Sequence, residues 1–439
     1  MFKAWAEKRF QLSQYHTSVT TEIIAGLTTF TTMAYVLAVV PGMMAGAGLS
    51  KGAMLTAMVL MIVCTTLGMA FYTNRPFVLA PGLGSVAIFS ITMVQLQKIP
   101  VATASALVFL SGILFLIVTI FGIRDAIVDL IPKGIKISIS AGVGLFIAII
   151  GMRNAHLLAA NAKKTALSFG DLTQPTVIVA VIGMVLLLIL QSRNIKGGAL
   201  LAILGATIVG LPLGVTHLPK TIFSSPESID SVFLEFDLMS ALDLKYIPYL
   251  FAFFLPDFFS SFGTALGVGS RAGFLDEKGD LPGLHKVFLV DSIAATIGSF
   301  FTVPVLITYL ESSAGVEAGG RTGMTAATTA ILFLLVLAIT PVALMIPAAA
   351  TAPVLVYVGI SMMKGLRNLD YDHMEECIPA FLCIALSIFT FNVGNGIAAA
   401  FIAYVIIRMS SGAYKSLKIG HYVFALILMY YFYSMAMMK

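Results

Sequence analysis

Long apolar runs alternate with short polar connectors from one end of the chain to the other. A membrane crossing by helix takes ~20 mostly apolar residues. On that measure the runs predict spans near residues 21–48, 52–73, 77–97, 101–123, 134–152, 175–192, 197–215, 247–269, 286–303, 304–320, 322–345, 347–364, 377–391 and 393–409. These are spans 1 to 14, several of them too short to cross alone. A last apolar stretch, residues 422–438, is rich in Tyr, Phe and Met. It reads as an interfacial helix, with a fifteenth span as the weaker option.

Composition agrees. Of the 439 residues 59% are hydrophobic and 11% charged, with a mean hydropathy of +0.99, whereas soluble domains carry ~25% charged residues. The 26 Lys and Arg are scattered singly between apolar runs, so the net charge of +5 reflects topology in a lipid bilayer and not nucleic-acid binding. Cys64, Cys377 and Cys383 form no C-x-x-C pair, which speaks against a disulfide framework or a structural zinc. The first residues carry Lys3, Lys8 and Arg9 but no short apolar run with a cleavage site, against a signal peptide. With the N-terminus inside, nineteen basic residues fall on inner connectors, among them Arg75, Arg124, Lys133, Lys136, Lys196, Arg271, Lys278, Lys286, Arg321 and Lys439. The outer set is Lys51, Lys98, Arg153, Lys163, Lys164, Lys220 and Lys245. Both termini are therefore expected in the cytoplasm, in the inner membrane.

Fourteen spans divide into seven plus seven, and an odd number per half inverts the second half against the first. Residues 140–152 (SAGVGLFIAIIGM) align with 351–363 (TAPVLVYVGISMM), sharing Ala141/Ala352, Val143/Val354, Ile149/Ile360 and Met152/Met363; Val78 and Leu79 align with Val305 and Leu306. In span 3, Pro81, Gly82 and Gly84 stop a helix from running through, so residues 77–80 are extended and a half-helix runs from Leu83 to Gln97. In span 10, Gly319 and Gly320 end a helix that starts near Thr308 and Tyr309, and residues 303–307 read as a strand. The expected fold is an all-α polytopic membrane protein with 14 transmembrane segments as a 7+7 inverted repeat, and short strand-plus-half-helix segments at spans 3 and 10. Irregular backbone at that depth lines a cavity or is buried in protein, and broken helices at matching places point to a substrate site.

Four acids lie in or beside spans. Asp257 is ~18–21 Å of helix from Lys245 and Arg271, and Glu311 is ~15 Å from Arg321, so both are near the midplane. Asp291 and Glu317 lie close to basic residues and read as solvated or capping groups near an interface. An acid at the bilayer centre costs roughly 2.5–3.5 kcal/mol and usually faces a cavity, a partner or a substrate path. No Lys or Arg sits at the depth of Asp257 or Glu311. Such a pair suits the joint binding of a proton and a polar substrate. The plainer alternative is a protonated carboxyl hydrogen-bonded to a neighbouring helix. No Gly-Lys dipeptide exists for a Walker A loop and no H-E-x-x-H for a metalloprotease. Enzymatic chemistry, cofactors and metals drop out, and secondary transport is left.

Particular strings carry a resemblance: Thr21 to Phe30 (TEIIAGLTTF) with Met33, Ala34 and Tyr35; Ala80 to Gly84 (APGLG); Tyr309 to Ser312 (YLES); Ala318 to Gly323 (AGGRTG); Pro347 to Pro353 (PAAATAP); Ile378 to Phe381 (IPAF); Asn395 to Ala398 (NGIA). Together, and end to end, the chain resembles the AzgA-like purine permeases of the nucleobase-ascorbate transporter group. The resemblance implies a substrate-carrying core, residues 1–123 (spans 1–4) and 216–345 (spans 8–11), and a gate, residues 124–215 (spans 5–7) and 346–410 (spans 12–14), followed by a tail, 411–439. It implies import of hypoxanthine, guanine or adenine with protons. The base would sit between the half-helices, hydrogen-bonded by the positions occupied here by Asp257 and Glu311, which would also couple the proton. Phe89, Phe258 or Phe259 would stack on it. Ser85, Val86, Thr308 and Tyr309 at the half-helix starts, and Ser260 on span 8, complete the expected pocket. The chain departs from the pattern at Val86, where relatives carry Asn, at Ser260, where they carry a second Asp, and at Ile307, where they carry Thr. Relatives often form homodimers, but no G-x-x-x-G face specifies one here. Alternatives on the same fold are an anion or other small-solute carrier, or an uncoupled nucleobase facilitator; a non-transporting sensor is a third.

Overall fold

The computed structural model describes residues 2–122, 130–160, 167–195, 197–234, 236–276, 281–390 and 392–437. Among the basic residues used above for orientation, Arg124, Lys163, Lys164, Lys196, Lys278 and Lys439 lie outside these residues. The fourteen membrane segments are all present, as a seven-plus-seven inverted repeat. Nine, spans 1, 2, 4, 5, 6, 8, 11, 12 and 14, are helices long and apolar enough to cross on their own among the described residues. The others are shorter: span 3 (Leu83–Leu96), span 7 (Gly198–Gly210), span 9 (Leu284–Ser299), span 10 (Ser312–Glu317) and span 13 (Met374–Phe389).

Polar caps and proline decide where helices start and break. Ser18, Ser50, Thr322 and Asn392 each accept a backbone N–H from the first turn of spans 1, 2, 11 and 14, which satisfies donors that have no partner inside the helix. Span 1 breaks into Val19–Met33 and Val36–Ala45, with Tyr35 at the junction. Span 11 tightens to a 3₁₀ turn at Leu337–Ile339 just before Pro341, whose ring cannot sit against the carbonyl of Leu337 in a regular helix.

Glycine sets the closest approaches. Spans 5 (Lys133–Asn154) and 12 (Ala348–Met363) cross with Gly144 against Gly359, where a Cβ on either would run into the other's carbonyl oxygen. Span 4 (Val101–Ile120) meets span 9 at Gly112, and span 11 meets span 2 (Lys51–Thr73) at Gly323. Spans 5, 6, 7, 12, 13 and 14 pack mainly on one another, as do spans 1, 2, 4, 8, 9 and 11.

The third member of each set of seven is a strand followed by a half-helix. Strand β1 (Leu79–Pro81) pairs antiparallel with β4 (Leu306–Thr308), Ala80 facing Ile307. That offset equals the one in the alignment of Val78 with Val305, so the local two-fold axis passes through the strand pair. Span 3 has its helix start at Leu83 as expected, but continues as a π-helix over Ile88–Leu96. The helix of span 10 starts later than the sequence implied, at Ser312. Tyr309 to Glu311 form a turn in which Ser312, Ser313 and Ala314 donate N–H groups to carbonyls three residues back. A hairpin, β2 (Leu158–Ala160) with β3 (Leu167–Phe169), has no signal in the sequence. A final helix, Ile419–Met437, packs on span 14.

Candidate functional site

The strand pair puts two extended backbones at membrane depth and then satisfies them. Gly82 N donates to Val305 O at 2.9 Å and Tyr309 N to Val78 O at 2.9 Å, extending the ladder at both ends. Side chains close the edges: Val78 N donates to Ser312 Oγ (3.1 Å) and Leu79 N to Thr66 Oγ1 (3.1 Å). The Tyr309 hydroxyl donates to Pro81 O at 2.5 Å. Without water to pair them, these groups would each cost several kcal/mol.

Each end of this pair opens into a half-helix with an acid beside it. At the span 3 end stands Asp257 from span 8 (Ile247–Arg271), the residue after Pro256. It is 4% exposed. Its Oδ1 accepts the Ser85 hydroxyl at 2.7 Å. Its Oδ2 is covered and has no hydrogen-bond partner among the described residues. Gly82 keeps this corner open, since a Cβ there would stand 3.5 Å from Asp257 Oδ1 and 3.2 Å from Ile307 Cδ1. The first N–H groups of the half-helix, at Leu83, Gly84 and Ser85, have no acceptor within the helix. At the span 10 end, Glu311 is half-buried at the helix N-cap and accepts the Tyr35 hydroxyl at 2.6 Å. Tyr35 comes from the break in span 1.

The remaining acids sort differently from their sequence depths. Asp291 was expected near an interface, solvated or capping. It is instead fully buried, both carboxylate oxygens accepting the Thr308 hydroxyl (2.8 and 3.0 Å). Counting from Lys286 along a straight helix failed because span 9 packs its polar residue inward against β4. Glu317 keeps its expected role, half-exposed and paired with Arg271 at 2.7 Å. Sequence reasoning missed Glu22, which is buried in full. Its carboxylate accepts the N–H groups of Arg321 (2.8 Å), Thr325 (3.1 Å) and Thr322 (3.3 Å) and the hydroxyls of Thr325 (2.6 Å) and Thr322 (2.9 Å). The span 1 acid thus caps span 11. The available signal was the pairing of an apolar-run acid with the Gly319, Gly320, Arg321, Thr322 string.

The aromatic candidates occupy different surroundings. Phe258 is packed among Phe115, Phe254 and Phe288, with ring centroids 5.5–5.7 Å apart. Phe89 is fully buried on the π-helix of span 3. Phe259 is half-buried, with Lys136 Nζ of span 5 at 5.7 Å from its ring centroid. Val86 is fully buried and Ser260 half-buried. The structure therefore brings Gly82, Ser85 and Asp257 together at one end of the strand pair and Tyr35 and Glu311 together at the other, with Thr308 and Tyr309 fixed between.

The family described as "Permease family" (Xan_ur_permease) matches residues 20–429. The chain is 36% identical to the adenine permease AdeP of Escherichia coli, over 94% of this chain and 92% of that one. It is 34% identical to the guanine/hypoxanthine permease PbuO of Bacillus subtilis, over 95% and 98%. In fold it is similar to the transmembrane domain of the cyanobacterial bicarbonate transporter BicA, at a TM-score of 0.64 and 15% identity, covering 87% of this chain and 96% of that one. With a matching family over nearly its whole length, fourteen membrane segments and paired half-crossings at its centre, the chain belongs to the Permease family, as a multi-pass membrane transport protein grouped with purine-nucleobase permeases.

Proposed function

We propose that this permease imports purine nucleobases together with protons across the inner membrane, with both termini in the cytoplasm. The observation that carries the reading is the covered, unpartnered Oδ2 of Asp257 beside the open N-terminal turn of the span 3 half-helix. A purine edge presents N–H donors next to acceptor nitrogens. A carboxylate oxygen takes the donors, and the helix-start N–H groups at Leu83 to Ser85 meet the acceptors. A carboxyl shut from water, with no cation beside it, is costly to ionise and costs less when it holds a proton. Asp257 is accordingly the proton site, and Glu311, held by Tyr35, the second anchor. Ser85, Thr308, Tyr309, Val86, Ser260 and Phe89 surround the base, and Phe259 is the stacking partner best placed by its partial exposure. An anionic cargo is disfavoured, because Glu311 stands at the start of the span 10 half-helix, where an ionised carboxylate repels it.

The packing supports a reading of alternating access. Spans 1–4 and 8–11 act as the core that carries the base, and spans 5–7 and 12–14 as the gate. The glycine contact of span 5 with span 12 holds the second group together, and the polar ties of span 1 to spans 10 and 11 hold the first. The test is uptake of radiolabelled hypoxanthine, guanine and adenine into a host without its own purine carriers, with and without a protonophore. Accumulation that collapses with the protonophore, and is absent in Asp257→Asn and Glu311→Gln proteins present in the membrane, is the expected result. Uptake that only equilibrates and is indifferent to the protonophore makes the protein an uncoupled facilitator, and no uptake of any base overturns the cargo.

A further inference from the structure

Most glycines within the spans are packing contacts: a Cβ at Gly84 would strike Val143, and one at Gly112 the backbone of Thr296. Gly263 and Gly267 of span 8 differ, as do Gly42 of span 1 and Gly68 of span 2. A Cβ at any of these meets nothing within 4 Å, and Gly263 is exposed. With Ser260, Gly263 and Gly267 stand at the i, i+3, i+7 spacing that keeps residues on one helix face, running toward the Arg271 end. Lipid does not account for that exposure. Faces of this protein that meet lipid display large apolar side chains, such as Ile331 and Leu335 on span 11 or Val185 and Leu188 on span 6. From residue 247 to 271 no large hydrophobic side chain is exposed; the exposed positions are Gly263, Ser270 and Arg271. At the deep end of this line, one turn from Ser260, stands Asp257 with its covered, unpartnered Oδ2. Lys136 of span 5 lies over the neighbouring Phe259 ring.

We infer that the face of span 8 carrying Ser260, Gly263 and Gly267 lines the aqueous route along which the permeating base moves between Asp257 and the membrane face that holds Arg271. The cargo in this inference rests on the purine reading; the route does not. The two glycines keep the route wide enough for a flat heterocycle, and a side chain at either position narrows it.

The test installs Ser260→Cys, Gly263→Cys and Gly267→Cys singly in a parent that retains uptake after Cys64, Cys377 and Cys383 are changed to alanine. Leu335→Cys is the lipid-facing control. A charged, water-soluble thiol reagent is applied to both membrane faces. Because the thiolate reacts and apolar surroundings suppress it, labelling at 263 and 267 is expected to be about ten times faster than at 335. Uptake should fall as labelling proceeds, and a transported base should slow labelling at 260. Gly263→Leu, whose side chain has room, is expected to reach the membrane at the usual level and lose most uptake. Labelling no faster than at 335, or full labelling with uptake intact, overturns the route. Fast labelling with no purine transported or protecting upholds the route and removes the purine cargo, so the two readings fail separately.

Discussion

Tyr35 donates its hydroxyl to Glu311 Oε1 at 2.6 Å, joining the break in span 1 to the turn that opens the half-helix of span 10. The contact links residues far apart in sequence at the depth where both helices are interrupted. It also fixes the carboxylate of an acid that would otherwise hang from an N-cap with no cap hydrogen bond of its own.

Removing that hydroxyl is the mildest perturbation of the site. Tyr35→Phe deletes one hydrogen bond to a charged group, worth ~1.5–3 kcal/mol, and leaves the ring in place. Uptake should fall by about tenfold or more, each 1.4 kcal/mol being a factor of ten. Glu311→Gln should cost more, and the double variant no more than Glu311→Gln alone, since both break one contact. Additive losses in a transport assay would show that Tyr35 acts elsewhere.

Asp257 and Ser85 separate binding from coupling. Asp257→Asn keeps the size and polarity of the side chain but removes the group that holds the proton. Counterflow exchange of base should survive in part while concentrative uptake is lost. Ser85→Ala, which removes the 2.7 Å donor to Oδ1, should weaken both, by about 1–3 kcal/mol for the buried oxygen left unpaired. Concentrative uptake in Asp257→Asn would remove Asp257 from the coupling.

Glu22 is a matter of stability. Glu22→Gln keeps one acceptor oxygen and turns the other into an NH₂ that faces donors, so either the Arg321 N–H, which uses Oε1, or the Thr322 and Thr325 groups, which share Oε2, lose their partner, at about 1–3 kcal/mol for each buried group left unpaired. The unfolding midpoint in detergent, followed by fluorescence, should drop by several degrees. An unchanged midpoint would mean that water replaces the carboxylate.

Close helix crossing makes a steric prediction. Gly359→Ala places a methyl against the carbonyl of Gly144, an overpacking that costs about 1–3 kcal/mol. Gly263→Ala, with open space around it, should be neutral in the same melt. Equal melting of the two variants would contradict the crossing geometry.

Outside the membrane, in the connector between spans 12 and 13, Asp370 sits 2.8 Å from the His373 ring and holds its imidazole above the ordinary value, first through the hydrogen bond and then through charge. A raised folded value means that any stabilisation is present below the unfolded value and fades as pH rises through the folded one. The NMR titration of His373 should therefore have its midpoint above ~6.5 and return toward it in Asp370→Asn.

The broken spans were legible because proline and glycine state their effect locally. Pro81 and Gly82 end the strand and open the half-helix, and Gly319, at φ +101°, ends the second one. Asp257 and Glu311 were legible because their distance from basic residues could be counted in helix rise. The same count misplaced Asp291, because exposure depends on which neighbour a face meets and not on depth alone. Glu22 escaped because it lies close to the chain's polar start and looks like a first-turn acid. Its partners, Arg321 to Thr325, come from the opposite half of the sequence, and only packing brings them to it. The π-helix of span 3 and the late start of span 10 depend on hydrogen-bond registers that apolar strings do not encode.

One strand of the β1–β4 pair is made early in synthesis and the other only after most of the chain has left the ribosome. Until residues 306–308 arrive, the edge at residues 79–81 has no ladder partner at a depth where water cannot stand in. Neither seven-span half is self-sufficient, although each has the full complement of helices. A chain that stops after the first repeat carries an open hydrogen-bonding edge inside the bilayer, a defect that membrane quality control can recognise. The carrier gains its central site only once its second half has entered the membrane as far as β4, when two strands built far apart in time close on each other.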